Sequence, residues 1–422
     1  MHPLHSAPLL AVLVTALSGT SHLAAQESAP PDEASVLFSS SGIQDFHLTV
    51  APADWQTLKD NYLANDYYEA DFRWGDYSLA RIGIRSRGSA SRSGVKPSLK
   101  LDFNKYGAGT LFGLKSLVVK NLTQDVPMVR EYLSMALSAH LGFFTPRETF
   151  VRLFVNGEYQ GLFLAIEPLD KIFLTRAFGS GNGDLFSIEW TFPYRFEYLG
   201  PDPAAYSPSP FKPETNEKQP NLAPIIEIAE LAQNLPAEEF ATAISQRVNL
   251  DQILGHLALD AYVANKDGFA GGIGMNNVYL HRPAETAETP QPLITALPWD
   301  KDSAFNWYDM PIHFDFSSNV LLRRFMEDPV IASRFLHWVE AVATASGGED
   351  GWLAYTFENT AALIREAAES DPNKPFSNGE FDHALEETRA FIRQRQIHVR
   401  AQLEEWRPTP APPEQTVARI KP

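Results

Sequence analysis

Residues 260–282 and 294–305 read DAYVANKDGFAGGIGMNNVYLHR and ITALPWDKDSAF, and the order of elements within them decides how the rest of the chain is read. The apolar spacing of Leu250 to Val263 predicts a helix that ends near Asn265. Asp267 then falls in the loop, and Asn276 and Asn277 stand where the next strand begins. A further strand, PLITALPW, delivers Asp300 and Asp302. As ligands, carboxylate and amide oxygens of this kind suit a hard cation, Mg²⁺ or Mn²⁺, carrying phosphate. Asp and Asn also dominate turns, because their short side chains bond nearby backbone, so spacing alone leaves a turn-forming role open.

Outward toward the N-terminus, alternating segments predict strands at Asp45 to Val50, from Tyr67, from Ser78, at KPSLKLDF (96–103) and at LKSLVVKNL (114–122). Ala53 to Leu63 has the spacing of a short helix. Pro127 suits the first position of a second helix, MVREYLSMALSAHLG, which stops at Gly142. ETFVRLFVNGEYQGLFLAIEP (148–168) predicts two strands joined by a type I′ turn at Asn156-Gly157. Tyr194 to Pro224, rich in proline and serine, reads as a long surface loop. Helices are expected at Ile225 to Asn234, at Glu238 to Val248, and through most of the chain from Asp302 to Trp406. The fold class is therefore α+β.

The composition excludes several chemistries. The chain has 422 residues, a formal charge of −17 and no cysteine, so disulfides, thiolate metal sites and a cysteine nucleophile are ruled out, and the acidity opposes nucleic-acid binding. GxxxxGK[ST], HExxH and GxSxG are absent, and the histidines are scattered. The glycine-rich GFAGGIG (268–274) follows a helix instead of opening one, unlike a dinucleotide loop. APLLAVLVTALSG (7–19) has the length of a signal-peptide core and is too short to span a bilayer. The expected layout is a signal peptide at 1–25, a linker at 26–33, one domain at 34–406 and a disordered Pro-rich tail at 407–422. Such a protein would be exported, with no membrane span.

Helix, Asp, Asn, strand, strand, Asp is the order in which protein kinases place a catalytic-loop aspartate, a metal asparagine and a second metal aspartate. The first half also has the order of a kinase small lobe. Lys100 in KPSLKLDF is the candidate phosphate lysine, with Lys96 not separated from it. Arg85 and Arg87, in the turn RSRGSASRSG, are candidates for phosphate contacts. Arg130 and Glu131 on the first-half helix are candidates to fix the lysine or a phosphate. Glu167, at the expected hinge, either contacts the nucleotide or caps the hinge.

The chain resembles the spore-coat protein H (CotH) kinase family. The segments that carry the resemblance are IRSRGSAS, KPSLKLDF, KNLTQDVPMVREYLSMALSAHLG, VNGEYQGLFLAIEPLDKIFL, LDAYVANKDGFAGGIGMNNVYLHR and PWDKDSAF, spread from about residue 34 to 310. The resemblance implies a divergent two-lobed protein-kinase-like fold, with a mainly antiparallel sheet N-lobe (34–167) and a helical C-lobe (168–406). It also implies ATP-dependent phosphorylation of Ser or Thr in partner proteins outside the cytoplasm. By the same resemblance Asp267 corresponds to the catalytic aspartate, Asn277 to the metal asparagine, Asp300 to the metal aspartate and Asp302 to a second carboxylate. Lys100, Arg87 and Glu167 would face ATP, with Mg²⁺ or Mn²⁺ as the cation. One departure stands out: GDLFSIEW, with Phe186 and Ser187, replaces a tyrosine-lysine pair common in the family. A non-catalytic cell-surface or coat assembly protein of the same fold is the competing reading. A metal-dependent nucleotide- or polymer-modifying enzyme using the same acidic triad is a third.

Overall fold

In a computed structural model, which describes residues 32–39 and 41–406, the alternating segments of the first half pair into one closed sheet. The expected signal peptide and Pro-rich tail lie outside the described residues. The strands are β1 (Gln44–Val50), β2 (Tyr68–Trp74), β3 (Tyr77–Ser86), β4 (Leu99–Asp102), β5 (Ser116–Lys120), β6 (Glu148–Val155) and β7 (Glu158–Ile166). They run in the order β1-β2-β3-β4-β5-β7-β6, and β6 returns to β1 in parallel to close the barrel. Every other neighbouring pair is antiparallel. The sheet is thus mainly antiparallel, as expected, but its closure was not legible from local pattern.

Alternation explains the barrel interior. Phe46, Phe72, Ile84, Leu101, Leu117, Val119 and Phe163 point inward and form one apolar cluster. Strand β5 is buried along its whole length. Leu117 and Val119 fill the barrel, while Val118, on the opposite face, joins the larger core of the second half. Lys120 shares the Val118 face by the same period of two. The hairpin forms as predicted: Asn156 (φ 52°) and Gly157 (φ 86°) both adopt the positive φ that a type I′ turn requires.

Two short helices, α1 (Ser35–Phe38) and α2 (Pro52–Asp60), flank the barrel, and α3 (Arg130–His140) leaves it after β5. Pro127 stands three residues ahead of α3 and does not begin it. The Asp125 carboxylate accepts the Arg130 and Glu131 backbone N–H groups at 2.8 and 3.4 Å, which sets the start of the helix later than the proline suggested.

The second half holds helices α4 (Lys171–Phe178), α5 (Ala223–Asn234), α6 (Ala237–Ser245), α7 (Leu250–Tyr262), α8 (Val320–Glu327), α9 (Pro329–Ser346), α10 (Trp352–Glu369) and α11 (Asn378–Trp406). It is not purely helical. Strands β8 (Gly183–Ile188), β9 (Phe211–Pro213), β10 (Val278–Pro283) and β11 (Thr295–Pro298) make a second antiparallel sheet in the order β11-β10-β8-β9. GDLFSIEW therefore supplies a strand, and the loop expected at 194–224 contributes β9. Helix α7 is apolar on nearly every side and is buried in the centre, where it fixes the loop that follows it.

One ion pair bolts the α10–α11 turn to the barrel. Fully buried Lys96 lies 2.6 Å from Asp371, donates to the Leu162 carbonyl at 2.8 Å, and Asp371 accepts the Leu162 N–H at 2.9 Å. Among the described residues no helix is long and apolar enough to cross a membrane.

Candidate active site

Lys120, at the end of β5, is the centre of the site. Its ammonium lies 3.0 Å from Glu131 on α3, 2.5 Å from Asp300 and 3.0 Å from Asp302, both in the turn after β11. Burial alone would lower the Lys120 pKa; the three carboxylates outweigh it and hold the amine charged well above its usual range. The Glu131 carboxyl is raised, by burial first and with Lys120 opposing. Asp300 is lowered, because Lys120 overcomes the cost of its burial. Asp302 is pushed up to about 7 by burial and by the charge of Asp300 beside it. The pair thus splits into one carboxylate held below its usual range and one that ionises near neutrality.

Backbone geometry aims these groups. Asp300 (φ 51°) and Asn277 (φ 48°) both occupy the left-handed region, which is uncommon outside glycine and gathers at functional sites. The Lys301 backbone N–H donates to Glu131 at 2.5 Å, so the turn and α3 are tied twice. Of the Asp300 side chain, 34% stays open, against 1% of Glu131. Asp300 is therefore the face of the cluster that a ligand meets first.

The Asp267 loop carries the second group. Asn276 and Asn277 donate to the two Asp267 carboxylate oxygens, each at 2.9 Å, and Asn277 also donates to the Asp267 carbonyl at 3.0 Å. The carboxylate is half-buried and oriented by two amides.

The CotH kinase protein model matches residues 84–399 of this sequence, three quarters of its length. The chain belongs to the CotH kinase protein family. The CotH match runs from β3 into α11 and includes every charged residue of the Lys120 cluster and the Asp267 loop. The chain is 23% identical over 261 residues to inner spore coat protein H of Bacillus subtilis (strain 168), covering 62% of this chain and 68% of that protein. Among solved structures it resembles the HipA–HipB toxin–antitoxin complex with operator DNA from Shewanella oneidensis MR-1. That likeness has a TM-score of 0.35 and 12% identity over 76% of this chain and 67% of the other, an overlap too loose to define a fold.

The geometry sorts the sequence candidates within this CotH-family chain. Glu131, Asp300 and Asp302 come together on Lys120, and Asp267 joins Asn277. Asn277 is bonded to Asp267 and not to the Asp300 pair, and among the described residues no group of three or more acidic or histidine side chains is spaced to hold a metal. Lys100 is not the lysine of the cluster. It sits on β4 opposite Arg85 and Val118, on the outer face of the barrel, and burial and Arg85 lower its pKa. Lys96 is excluded from the site by its bond to Asp371. Glu167 is completely buried between Arg147 at 2.8 Å and Arg176 at 2.6 Å, so it anchors the end of β7 and α4 and does not face the cluster.

Arg87 does approach the site. Its guanidinium lies 5.6 Å from the Trp299 ring, next to Asp300. Among the described residues neither Arg87 nor Lys100 forms an ion pair. Lys100 and Arg85 pair on the outward face of β4 and β3, and Arg87 follows directly after β3. Lys120 was missed because Lys100 also lies in a strand that precedes a helix. The available signal was that LKSLVVK is the strand immediately before α3, and that Lys120 ends the apolar run Leu117, Val118, Val119.

Proposed function

We propose that this CotH-family protein transfers the γ-phosphoryl group of ATP to Ser or Thr hydroxyls of partner proteins outside the cytoplasm. The observation that carries the reading is the simultaneous bonding of Lys120 to Glu131 and to Asp300. A lysine held by a helix glutamate beside a metal aspartate is the arrangement on which kinase phosphoryl transfer depends.

The roles follow from the chemistry of each group. Lys120, kept charged and fixed by Glu131, presents its ammonium to the phosphates. Arg87 and Lys100, which form no ion pair among the described residues, draw the polyphosphate to the outer barrel face of a chain of net charge −17. Asp300 and Asp302, hard oxygen donors on one turn that is open on the Asp300 side, would hold Mg²⁺ or Mn²⁺. When bound, that cation neutralises charge on the phosphates. Asp267, oriented by Asn276 and Asn277, positions the substrate hydroxyl. As the hydroxyl oxygen bonds to the γ-phosphorus, the bond to the bridging oxygen of ADP breaks and the proton passes to the Asp267 carboxylate.

The extracytoplasmic location rests on the signal-peptide pattern and on the coat protein among its relatives. That relative's name also supports the second reading, a non-catalytic assembly protein that keeps the fold. Incorporation of labelled γ-phosphate into the protein itself and into casein, with Mg²⁺ or Mn²⁺, separates the two. The kinase reading expects transfer that disappears in Asp267→Ala and Asp300→Ala. No transfer, with no metal-dependent nucleotide binding by calorimetry, leaves the assembly reading.

A further inference from the structure

Between Asp300 and Asp302 stands a residue that points the other way. The Lys301 side chain is completely buried and enters the protein toward α7, where its ammonium lies 2.7 Å from Asp260 and 3.1 Å from His256. Asp260 is likewise buried, and His256 approaches it at 3.5 Å from one turn earlier on the helix. Burial by itself would raise the Asp260 carboxyl, but Lys301 and His256 hold it below its usual value.

The other contacts of Asp260 lead to the Asp267 loop. Asn265 donates its amide to Asp260 at 3.1 Å and accepts the Asp267 backbone N–H at 3.3 Å. A methyl group added at Gly268 would lie 2.3 Å from the Asp260 carboxylate, so the loop backbone presses directly on it and only glycine fits there. A continuous chain of contacts, Lys301 to Asp260 to Asn265 to Asp267, thus joins the turn that carries Asp300 to the loop that carries Asp267. A third tie, the Phe305 N–H donating to the Val263 carbonyl at 2.7 Å, runs alongside it. Stability does not require a charged pair here, since well-packed apolar residues of similar volume serve a core as well or better.

We infer that Asp260 and Lys301 are the positioning pair that keeps the Asp300/Asp302 turn and the Asp267 loop in one register, an inference that rests on the phosphoryl-transfer reading for its catalytic consequence. Neither residue touches substrate. Each acts by setting the distance between the groups that do.

The test uses the full chain with Asp260→Asn, Lys301→Met and the double variant. The double variant carries no uncompensated buried charge, which keeps the comparison open if a single variant unfolds. The expected result is a kcat about 100-fold lower in each single variant with KM for ATP unchanged, and a double variant no worse than either single one. Unaltered kcat, or losses that multiply in the double variant, would overturn the inference. Hydrogen exchange gives a readout that does not need activity. Protection is expected to fall together in residues 265–277 and 298–305 while α10 stays as in the parent protein. A fall confined to one of the two segments refutes the coupling. Absence of transfer in the parent protein sinks the kinase reading alone, because the exchange pattern still decides whether the two segments are joined.

Discussion

Lys120 lies 3.0 Å from Glu131 and 2.5 Å from Asp300, so a single ammonium ties the first turn of α3 to the turn after β11. The two partners stand 11 and 180 residues from it in the chain. The clamp therefore forms only when the barrel and the second half have both folded, and its loss should be felt in catalysis and in stability alike.

Lys120→Met is expected to reduce phosphoryl transfer by about 100-fold or more, in line with the loss of one preorganised electrostatic group. It also strands Glu131 in a buried site without its cation, at a cost on the order of 3–5 kcal/mol. Steady-state kinetics and urea midpoints on one preparation check both. Lys100→Ala and Arg87→Ala, by contrast, should raise KM for ATP on the order of 10-fold each and leave the midpoint almost unmoved.

Asp302 gives the site a pH dependence. Its carboxyl titrates at about 7, so binding of Mn²⁺ with ADP should tighten as pH rises from 6 to 8, and the effect should vanish in Asp302→Asn. Stability runs the opposite way. A carboxyl whose native pKa lies above its unfolded value stabilises the fold at low pH, and that contribution is lost as pH rises through 7. Calorimetric titrations and thermal melts across this window should therefore show opposite slopes.

Asp125, which accepts the Glu131 N–H at the edge of the cluster, makes a similar prediction. Burial raises it to about 6 although it caps the start of α3, and one of its oxygens has no hydrogen-bond partner among the described residues. Its contribution is fully present below about pH 4 and fades as pH rises through 6. The difference between urea midpoints at pH 5 and pH 8 should shrink in Asp125→Asn. An unchanged difference would assign the pH dependence to other carboxyls.

Lys96 and Asp371 should behave as one unit. Lys96→Met leaves a buried carboxylate and is expected to cost about 3–5 kcal/mol, while Lys96→Met with Asp371→Asn should recover much of that loss. Denaturation of the three variants measures the coupling directly, and independent, additive losses would contradict it.

Local physics made a good part of this protein readable from its residues. The Asn156-Gly157 turn is dictated by which residues tolerate positive φ, and α7 by an apolar period that runs around the whole helix. The order Asp267, Asn277, Asp300 was likewise visible, because loops and strand ends place short polar side chains where the chain turns. Alternation within β3, β4 and β5 marked these segments as strands. It did not tell which strand lies against α3 and β11, and so Lys100 was singled out where Lys120 holds the site. That choice belongs to the strand order β4-β5-β7 and to the parallel return of β6 onto β1, pairings between segments far apart in the chain. The burial of charge was equally hidden. A lysine in a sequence reads as solvated, and Lys96, Lys120 and Lys301 are buried only because Asp371, Glu131 with Asp300, and Asp260 arrive from elsewhere to meet them. Propensity and period act within a few residues and were legible, whereas a buried ion pair exists only once two distant segments have left water together, and that the tertiary structure alone decided.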